Sequence, residues 1–174
     1  MTTNIISRNM GDSYKKLSPI IREVHNGKKV IEGVVRVERG GLIANIICAL
    51  FGFPKQNREC TLRVECHHLN DTILWVRNFD GLILSSQFSS NGDLLFEKMG
   101  PLRMYFYPVE TDGSLGYRFV KTSIFGIPLP KLLSPKIVAK EYEVNGAYWF
   151  DVKVTMSAVG KVLAYSGEME IVTA

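Results

Sequence analysis

Hydrophobic and polar residues alternate in short runs through most of the chain, and a period of two is typical of β-strands. From residue 60 onward these runs are separated by turn signals such as Asp80-Gly81, Asn91-Gly92 and Asn145-Gly146. The pattern therefore predicts a meander of antiparallel strands. The predicted strands are CTLRVECHH, TILWVRNF, LILSSQFS, DLLFEKM, PLRMYFYPVE, SLGYRFVKTS, IVAKEYEV, AYWFDVKVTM and KVLAYSGEMEIV.

An earlier strand is predicted from about residue 29 to 38, where KKVIEGVVRVERG is rich in Val and Ile. So many strands in a flat sheet would leave unpaired edges and one wet apolar face, whereas closure removes both. We therefore predict a mainly β fold, an antiparallel up-and-down barrel or strongly curved sheet of lipocalin-like type. It forms a single domain over residues 1–174, with an ordered core from about 13 to 173. The alternative is a helix-grip fold, but the C-terminal run is typical of a strand and not of the long helix that fold requires.

Two helices are predicted before the meander. Ser18 and Pro19 fit the N-cap and first position of a short helix that ends at Asn26-Gly27. The run GLIANIICALFGF, residues 41–53, is apolar around nearly its whole circumference. As a helix it would span about 20 Å, against roughly 30 Å for the hydrocarbon core of a bilayer, so it is too short to cross a membrane. It is either a core helix or a lid that rests on a cavity or a membrane surface.

Three prolines interrupt the meander in SIFGIPLPKLLSPK, residues 123–136. Because proline fixes its own φ and restricts the residue before it, this segment cannot be a continuous central strand. We predict a stiff turn and one helical turn that join two strands. The segment either caps one end of the barrel or only enforces the topology.

Composition and charge narrow the class of protein. Hydrophobic residues make up 46% of the 174 residues and the net charge is +4, with basic residues scattered among acidic ones. No basic stripe with interleaved aromatics is present, so nucleic acid is not an expected partner. Cys48, Cys60 and Cys66 are odd in number and lack a CxxC spacing, and the N-terminus lacks the apolar stretch of a secretory signal. We expect a cytoplasmic protein with reduced thiols, no cofactor and no transmembrane segment.

Strand alternation groups several arginines with aromatic residues. It places Trp75, Arg77 and Phe79 on one face of their strand, and Arg103 with Tyr105 on one face of another. Arg118 is a further candidate. If these faces line the interior, they suit a small apolar or amphipathic ligand, including one with an anionic head. The alternative is that the arginines lie outside and stack on surface aromatics.

Acidic residues give a second hypothesis, since Glu97 and Glu141, like Glu38, could pair with these arginines. An enzyme could use such a Glu/Arg pair as acid or base and anion stabiliser, although no spacing identifies a catalytic residue. A metal site is not predicted, because alternation sends Cys66 and His68 to one face and His67 to the other. No GxSxG motif and no GxGxxG loop occur in the sequence.

Six phrases that follow one another along nearly the whole chain are LSPIIREVHNG, VVRVERGG, WVRNFDG, FEKMGPLRMYF, FGIPLPKLLSPKIVAKEYEVNGAYWFDV and LAYSGEME. In this order they resemble the bacterial family called domain of unknown function 4166. The resemblance implies no established activity. Because some members are similar domains joined to NAD-dependent dehydrogenase-like or membrane segments, it implies an accessory role and an oxidoreductase as a possible partner.

Overall fold

Ten antiparallel strands form a closed β-barrel in a computed structural model that describes residues 4–53, 58–69 and 71–172. Each strand pairs with the next one along the chain, and the last pairs with the first, which closes the wall. One further short strand, β8, pairs only with the end of β7. The strands are β1 Lys28–Arg39, β2 Arg58–His68, β3 Thr72–Phe79, β4 Leu82–Asn91, β5 Leu94–Met99, β6 Leu102–Thr111, β7 Ser114–Ile124, β8 Ile127–Pro128, β9 Lys136–Val144, β10 Ala147–Met156 and β11 Gly160–Val172.

The up-and-down barrel predicted from the alternating pattern is confirmed. Within the described residues the longest helix has nine residues, so there is no long helix for the sheet to grip. The seam between β1 and β11 requires glycine, because a Cβ at Gly33 would lie 2.0 Å from the carbonyl oxygen of Glu168. Gly167, opposite Val35, is similarly crowded by the backbone of Val34. Close backbone approach of this kind is a usual reason for glycine inside a strand.

One end of the barrel, which we call the closed end, is covered by the N-terminal segment. This segment contains α1 (Ile5–Met10), a 3-10 helix (Gly11–Lys16) and α2 (Pro19–Val24). Helix α1 contacts β4, β5 and β6, and α2 contacts β9 and β10. Because Ile5 and Ile6 are buried in the main core, packed structure begins before residue 13. The prediction that the ordered core starts there is therefore wrong at its N-terminal edge.

The opposite end, which we call the α3 end, is covered by α3 (Leu42–Leu50) and by the connector between β7 and β9. Helix α3 follows β1 and contacts β1 and β11, and the side chain of Arg39 donates a hydrogen bond to the carbonyl of Phe53 just beyond the helix. In the connector, the amides of Leu133 and Ser134 both donate to the carbonyl of Pro130 at 2.9 Å. That bonding gives the single helical turn that the prolines predict, although the short strand β8 was not predicted.

Candidate functional site

A cavity of about 170 Å³ lies inside the barrel beneath α3. Ile47, Cys48 and Phe51 from α3 and its C-terminal end form its roof, and Phe53 extends the roof. The walls are mostly aliphatic and aromatic side chains that point inward from the strands, among them Val152 and Val154 of β10 and Leu84 of β4. The cavity is therefore an apolar chamber covered by α3.

Charged residues line the deeper part of the cavity, where Arg77 of β3 faces Glu97 of β5. A guanidinium nitrogen of Arg77 lies 3.2 Å from a carboxylate oxygen of Glu97, and a second one donates to the hydroxyl of Ser86 at 2.7 Å. Burial alone would lower the pKa of Arg77, but the charge and hydrogen bond of Glu97, together with Tyr165 and Cys66, outweigh it and the pKa is raised. Arg77 thus carries a positive charge that Glu97 already balances.

A second polar group surrounds the carboxylate of Glu141 on β9. Nε2 of His25, which follows α2, lies 2.7 Å from one oxygen of this carboxylate. The hydroxyl of Tyr117 donates to the other oxygen at 2.8 Å, and the hydroxyl of Tyr148 donates a further hydrogen bond. His25 belongs to the segment that covers the closed end, so Glu141 links that segment to the barrel wall. Asn4 strengthens the link by donating a hydrogen bond to the carbonyl of His25.

The surroundings of Glu141 set its charge and that of its partners. Burial alone would raise the pKa of Glu141, but the charge of His25 and hydrogen bonds from His25, Tyr117 and Tyr148 outweigh it and the pKa is lowered. The pKa values of Tyr117 and Tyr148 lie well above their usual range, first because both phenols are buried and then because Glu141 is negative. This group therefore consists of an ionised carboxylate and two neutral phenols that donate to it.

Trp75 connects the two polar groups. Its indole stacks on the ring of His25 at a centroid distance of 5.9 Å, and the guanidinium carbon of Arg77 lies 5.0 Å from the indole centroid. The indole Nε1 is buried and has no hydrogen-bond partner among the described residues, although Trp75 lines the cavity. Trp75, a residue of the cavity wall, therefore carries a buried N–H donor without a partner, which is a costly state.

His68 completes the buried layer at the closed end. Its ring meets the ring of His25 edge-on at 5.2 Å. Burial, together with the positive charges of His25 and His67, lowers the pKa of His68 to about 3. Its imidazole is therefore neutral throughout the physiological range.

Five of the predicted ligand-lining residues lie inside the barrel, and four of these reach the cavity. Trp75, Arg77 and Phe79, which alternation groups on one face of β3, lie on its inner face. Phe79 packs edge-on against Tyr165 at 5.6 Å and does not reach the cavity wall. Glu97 and Glu141 both line the cavity, and Glu97 pairs with Arg77, as proposed for the acidic residues. Glu38, by contrast, pairs at the surface with Lys161 at 2.7 Å.

The prediction that Arg103, Tyr105 and Arg118 line the interior is wrong. Arg103 stacks on Phe96 at 4.9 Å and Arg118 stacks on Tyr107 at 5.1 Å, both on the outer face of the wall. Tyr105 is likewise outside, beneath the ammonium group of Lys121. Alternation grouped Arg103 with Tyr105 correctly but could not say which face is inside. In β6 the alternate, apolar residues Leu102, Met104 and Phe106 are buried instead.

Sequence reasoning missed three residues of the site. Tyr117 and Arg118 are neighbours in β7, so their side chains point to opposite faces. Tyr117 lies inside because Arg118 lies outside. Tyr148 alternates with Phe150, which is the signal that could have placed it inward. His25 had no such signal, because it follows a helix and reaches Glu141 only through the packing of α2 on the barrel.

Within the described part of the chain, no cluster of three or more His, Cys, Asp or Glu side chains is arranged to hold a metal ion. Cys48 and Cys66 are free thiols, and both are buried, as is Cys60. Burial raises the pKa of the Cys66 thiol to about 12, so this thiol is protonated and unreactive. None of the described helices is both long and apolar enough to span a membrane.

The fold and the cavity define the class of protein: a closed ten-stranded antiparallel barrel that encloses an apolar chamber with a charged layer beneath it. Residues 17–169 match the model of the family described as domain of unknown function (DUF4166). The chain belongs to this family, as its phrases predict. No curated protein and no solved structure matches the chain.

Proposed function

We propose that the protein binds a small apolar or amphipathic molecule in the cavity beneath α3. The observation that carries this proposal is the apolar chamber of about 170 Å³, whose lining includes Trp75, a residue with an unpartnered indole donor. An apolar cavity of about 150 Å³ is large enough to bind benzene, whereas sites for drug-sized ligands measure roughly 300–1,000 Å³. The expected ligand is therefore a single small ring or a short chain.

The charges beneath the chamber favour a neutral ligand. Arg77 is already balanced by Glu97, and the carboxylate of Glu141 adds a negative charge nearby. An anionic ligand would enter an apolar chamber whose buried arginine is already balanced by Glu97, which is costly. A neutral carbonyl, ether or hydroxyl oxygen, in contrast, could accept the free hydrogen bond of Trp75. We therefore narrow the amphipathic class to neutral molecules that carry a hydrogen-bond acceptor.

Titration calorimetry with ligands of equal chain length tests this proposal. 2-Octanone is neutral and carries one acceptor, whereas octanoate has the same chain length and a negative charge. We expect 2-octanone to bind at least about tenfold more tightly, since one desolvated unpaired charge costs more than the equivalent of 1.4 kcal/mol. Tighter binding of octanoate would contradict the proposal that the ligand is neutral. If neither compound bound, the proposal that the cavity binds ligands of this size would be contradicted.

A pair of matched substitutions locates the binding. Val152→Phe fills the chamber from β10, whereas Val138→Phe makes the same change at an outward position on the neighbouring strand, where the side chain is 65% exposed. We expect Val152→Phe to abolish 2-octanone binding and Val138→Phe to leave it within about twofold, with circular dichroism confirming that both variants are folded. Equal effects of the two variants would place the binding outside the chamber.

An enzyme is the second candidate, because Arg77 and Glu97 form a buried acid–base pair that faces the cavity. Glu141 is the weaker candidate for a general base, since its lowered pKa makes the carboxylate a poor proton acceptor at neutral pH. The enzyme hypothesis expects Glu97→Gln to abolish turnover of any substrate while the protein stays folded. Unchanged turnover would remove Glu97 from the reaction.

The cytoplasm is the proposed location of this binding protein. The free thiols of Cys48 and Cys66 fit a reducing compartment, where thiols stay reduced. A dehydrogenase-like protein is the proposed partner, on the ground of the family resemblance. Substitutions at the α3 end leave the chamber unchanged, so they separate partner binding from ligand binding.

A further inference from the structure

Helix α3 exposes an apolar face directly over the cavity. Ala44 and Cys48 are buried against the barrel, while Leu42 and Leu50 are 78% and 80% exposed. Ile43 and Ile46 are also exposed. Because Ile47 and Cys48 line the cavity, the face formed by these four residues points away from the interior. A helix with this composition carries far more exposed apolar surface than coverage of a cavity requires.

A second exposed apolar set lies at the same end of the barrel, on the connector between β7 and β9. Its residues are Phe125, which is 82% exposed, Ile127, Leu132 and Leu133. The strand register fixes this location. β9 begins at Lys136 beside Thr155 of β10, and Leu163 of β11 lies opposite Arg39, where β1 ends just before α3. We call these two sets together the apolar tips.

Basic residues surround the apolar tips. Lys131 and Lys136 are exposed in and beside the connector, and further basic residues described at this end include Lys98, Arg103, Lys153 and Lys161. In the described part of this end the acidic residues are fewer. They are Glu38, which is paired with Lys161, Glu59, and Asp80, whose carboxylate accepts a hydrogen bond from the amide of Thr61. This end of the barrel is therefore both apolar and positively charged.

We propose that the α3 end docks on the surface of an anionic lipid bilayer. Leucine, isoleucine and phenylalanine side chains of the apolar tips enter the boundary between headgroups and acyl chains, and the lysines face the anionic headgroups. This combination is typical of interfacial binding, in which apolar burial and attraction to anionic lipid add together. Docking this way places α3, the roof of the cavity, against the lipid.

Charge decides between a bilayer and a second copy of the chain. Two copies that met through this end would bring the same lysines together, and like charges at an interface oppose association. An anionic bilayer instead supplies the complementary charge. The apolar tips lie on two separate projections, α3 and the connector, and a deformable lipid surface can accommodate both.

Vesicle sedimentation with the whole chain tests the docking proposal. We expect binding to vesicles of phosphatidylcholine mixed with phosphatidylglycerol, and at least about tenfold weaker binding to phosphatidylcholine alone, because each lysine near an anionic surface contributes about 1 kcal/mol. High salt should weaken the binding to the anionic vesicles. Equal binding to both compositions, or no binding at low salt, would overturn the proposal.

Paired variants compare the two ends of the barrel. The double variants Leu42→Asp/Leu50→Asp and Lys131→Glu/Lys136→Glu change the α3 end, and we expect each to weaken vesicle binding at least about tenfold. The controls Val109→Asp/Val144→Asp and Lys16→Glu/Lys28→Glu make the same kinds of change at exposed positions near the closed end and should bind within about twofold of the parent. Controls that lose as much binding as the α3-end variants would overturn the proposal.

Two further measurements separate docking from its rivals. A dimer in sedimentation equilibrium that Leu42→Asp/Leu50→Asp dissociates would assign the apolar tips to a second copy. If Leu42→Asp/Leu50→Asp instead lost binding to a purified dehydrogenase and kept vesicle binding, the apolar tips would be assigned to a protein partner and not to the bilayer. Val152→Phe fills the cavity without touching the apolar tips, so it should leave vesicle binding unchanged even where it abolishes ligand binding.

Discussion

The closed end of the barrel is covered by α1 and α2, which bury Ile5, Ile6, Ile21 and Val24 in the main core, whereas α3 leaves most of its apolar residues in water. Inside the barrel, by contrast, the closed end is the more polar of the two. The closed end contains the buried contacts of His25, His68 and Glu141, and the chamber beneath α3 is lined almost entirely by apolar side chains.

The two ends therefore differ in how their covers are held: the closed end by buried polar contacts, and the α3 end mainly by apolar contacts. Buried charges and hydrogen bonds of specific geometry tie the N-terminal segment to β9, and removing either partner leaves an uncompensated group. The apolar roof over the chamber makes few such directional bonds. A roof held mainly by non-directional contacts can move aside at lower cost than one held by a buried ion pair.

The largest expected effect comes from breaking the polar link at the closed end. Glu141→Ala leaves His25 and the hydroxyls of Tyr117 and Tyr148 without their shared acceptor, so we expect the free energy of unfolding to fall by about 3–5 kcal/mol. Urea denaturation measures the change. The control Glu143→Ala, at an exposed position of the same strand, should stay within about 0.5 kcal/mol, and a loss for Glu141→Ala no larger than the control's would contradict the structural role.

A second pair of variants compares the two covers directly. Ile5→Ala removes a side chain that is fully buried at the closed end and should lower the free energy of unfolding by about 2–5 kcal/mol. Leu42→Ala removes an exposed side chain at the α3 end and should change it by no more than about 0.5 kcal/mol. A large loss from Leu42→Ala would show that α3 is packed as tightly as α1, which would break the comparison.

The smallest expected effect concerns pH. His68 is neutral in the folded protein because its pKa is lowered from 6.5 to about 3, so the unfolded chain binds one more proton than the folded chain between these values. Stability contributed by His68 is therefore present above pH 6.5 and is lost as pH falls, by up to about 1.4 kcal/mol per pH unit. Denaturation measured down to about pH 5, above the range in which carboxylates titrate, should show this slope.

His68→Gln should flatten that slope, because the variant no longer carries the buried imidazole. His67→Gln is the matched control on the same strand, and it should keep the slope because His68 remains. If both variants had the same pH profile, the buried state of His68 would not be its cause.

Local pattern was enough to predict much of the fold but less of the site. Alternation and turn signals predicted the strands, and the proline at position 19 with Asn26-Gly27 predicted α2. Alternation also grouped Trp75 with Arg77 correctly. It failed for Arg103 because a strand presents two faces and its own sequence does not state which is inside. In β6 the apolar residues Leu102, Met104 and Phe106 occupy the interior, and Arg103 is outside.

The sequence by itself determined that the chain forms a β-meander with a short apolar helix and a proline-rich connector, since these follow from local backbone and side-chain preferences. Only the tertiary structure decided that the meander closes between β1 and β11, that His25 meets Glu141 across 116 positions of sequence, and that the exposed residues of α3 and the connector lie at one end. The physical reason is that contacts between distant segments depend on how the whole barrel is closed. No local period or turn signal encodes that closure.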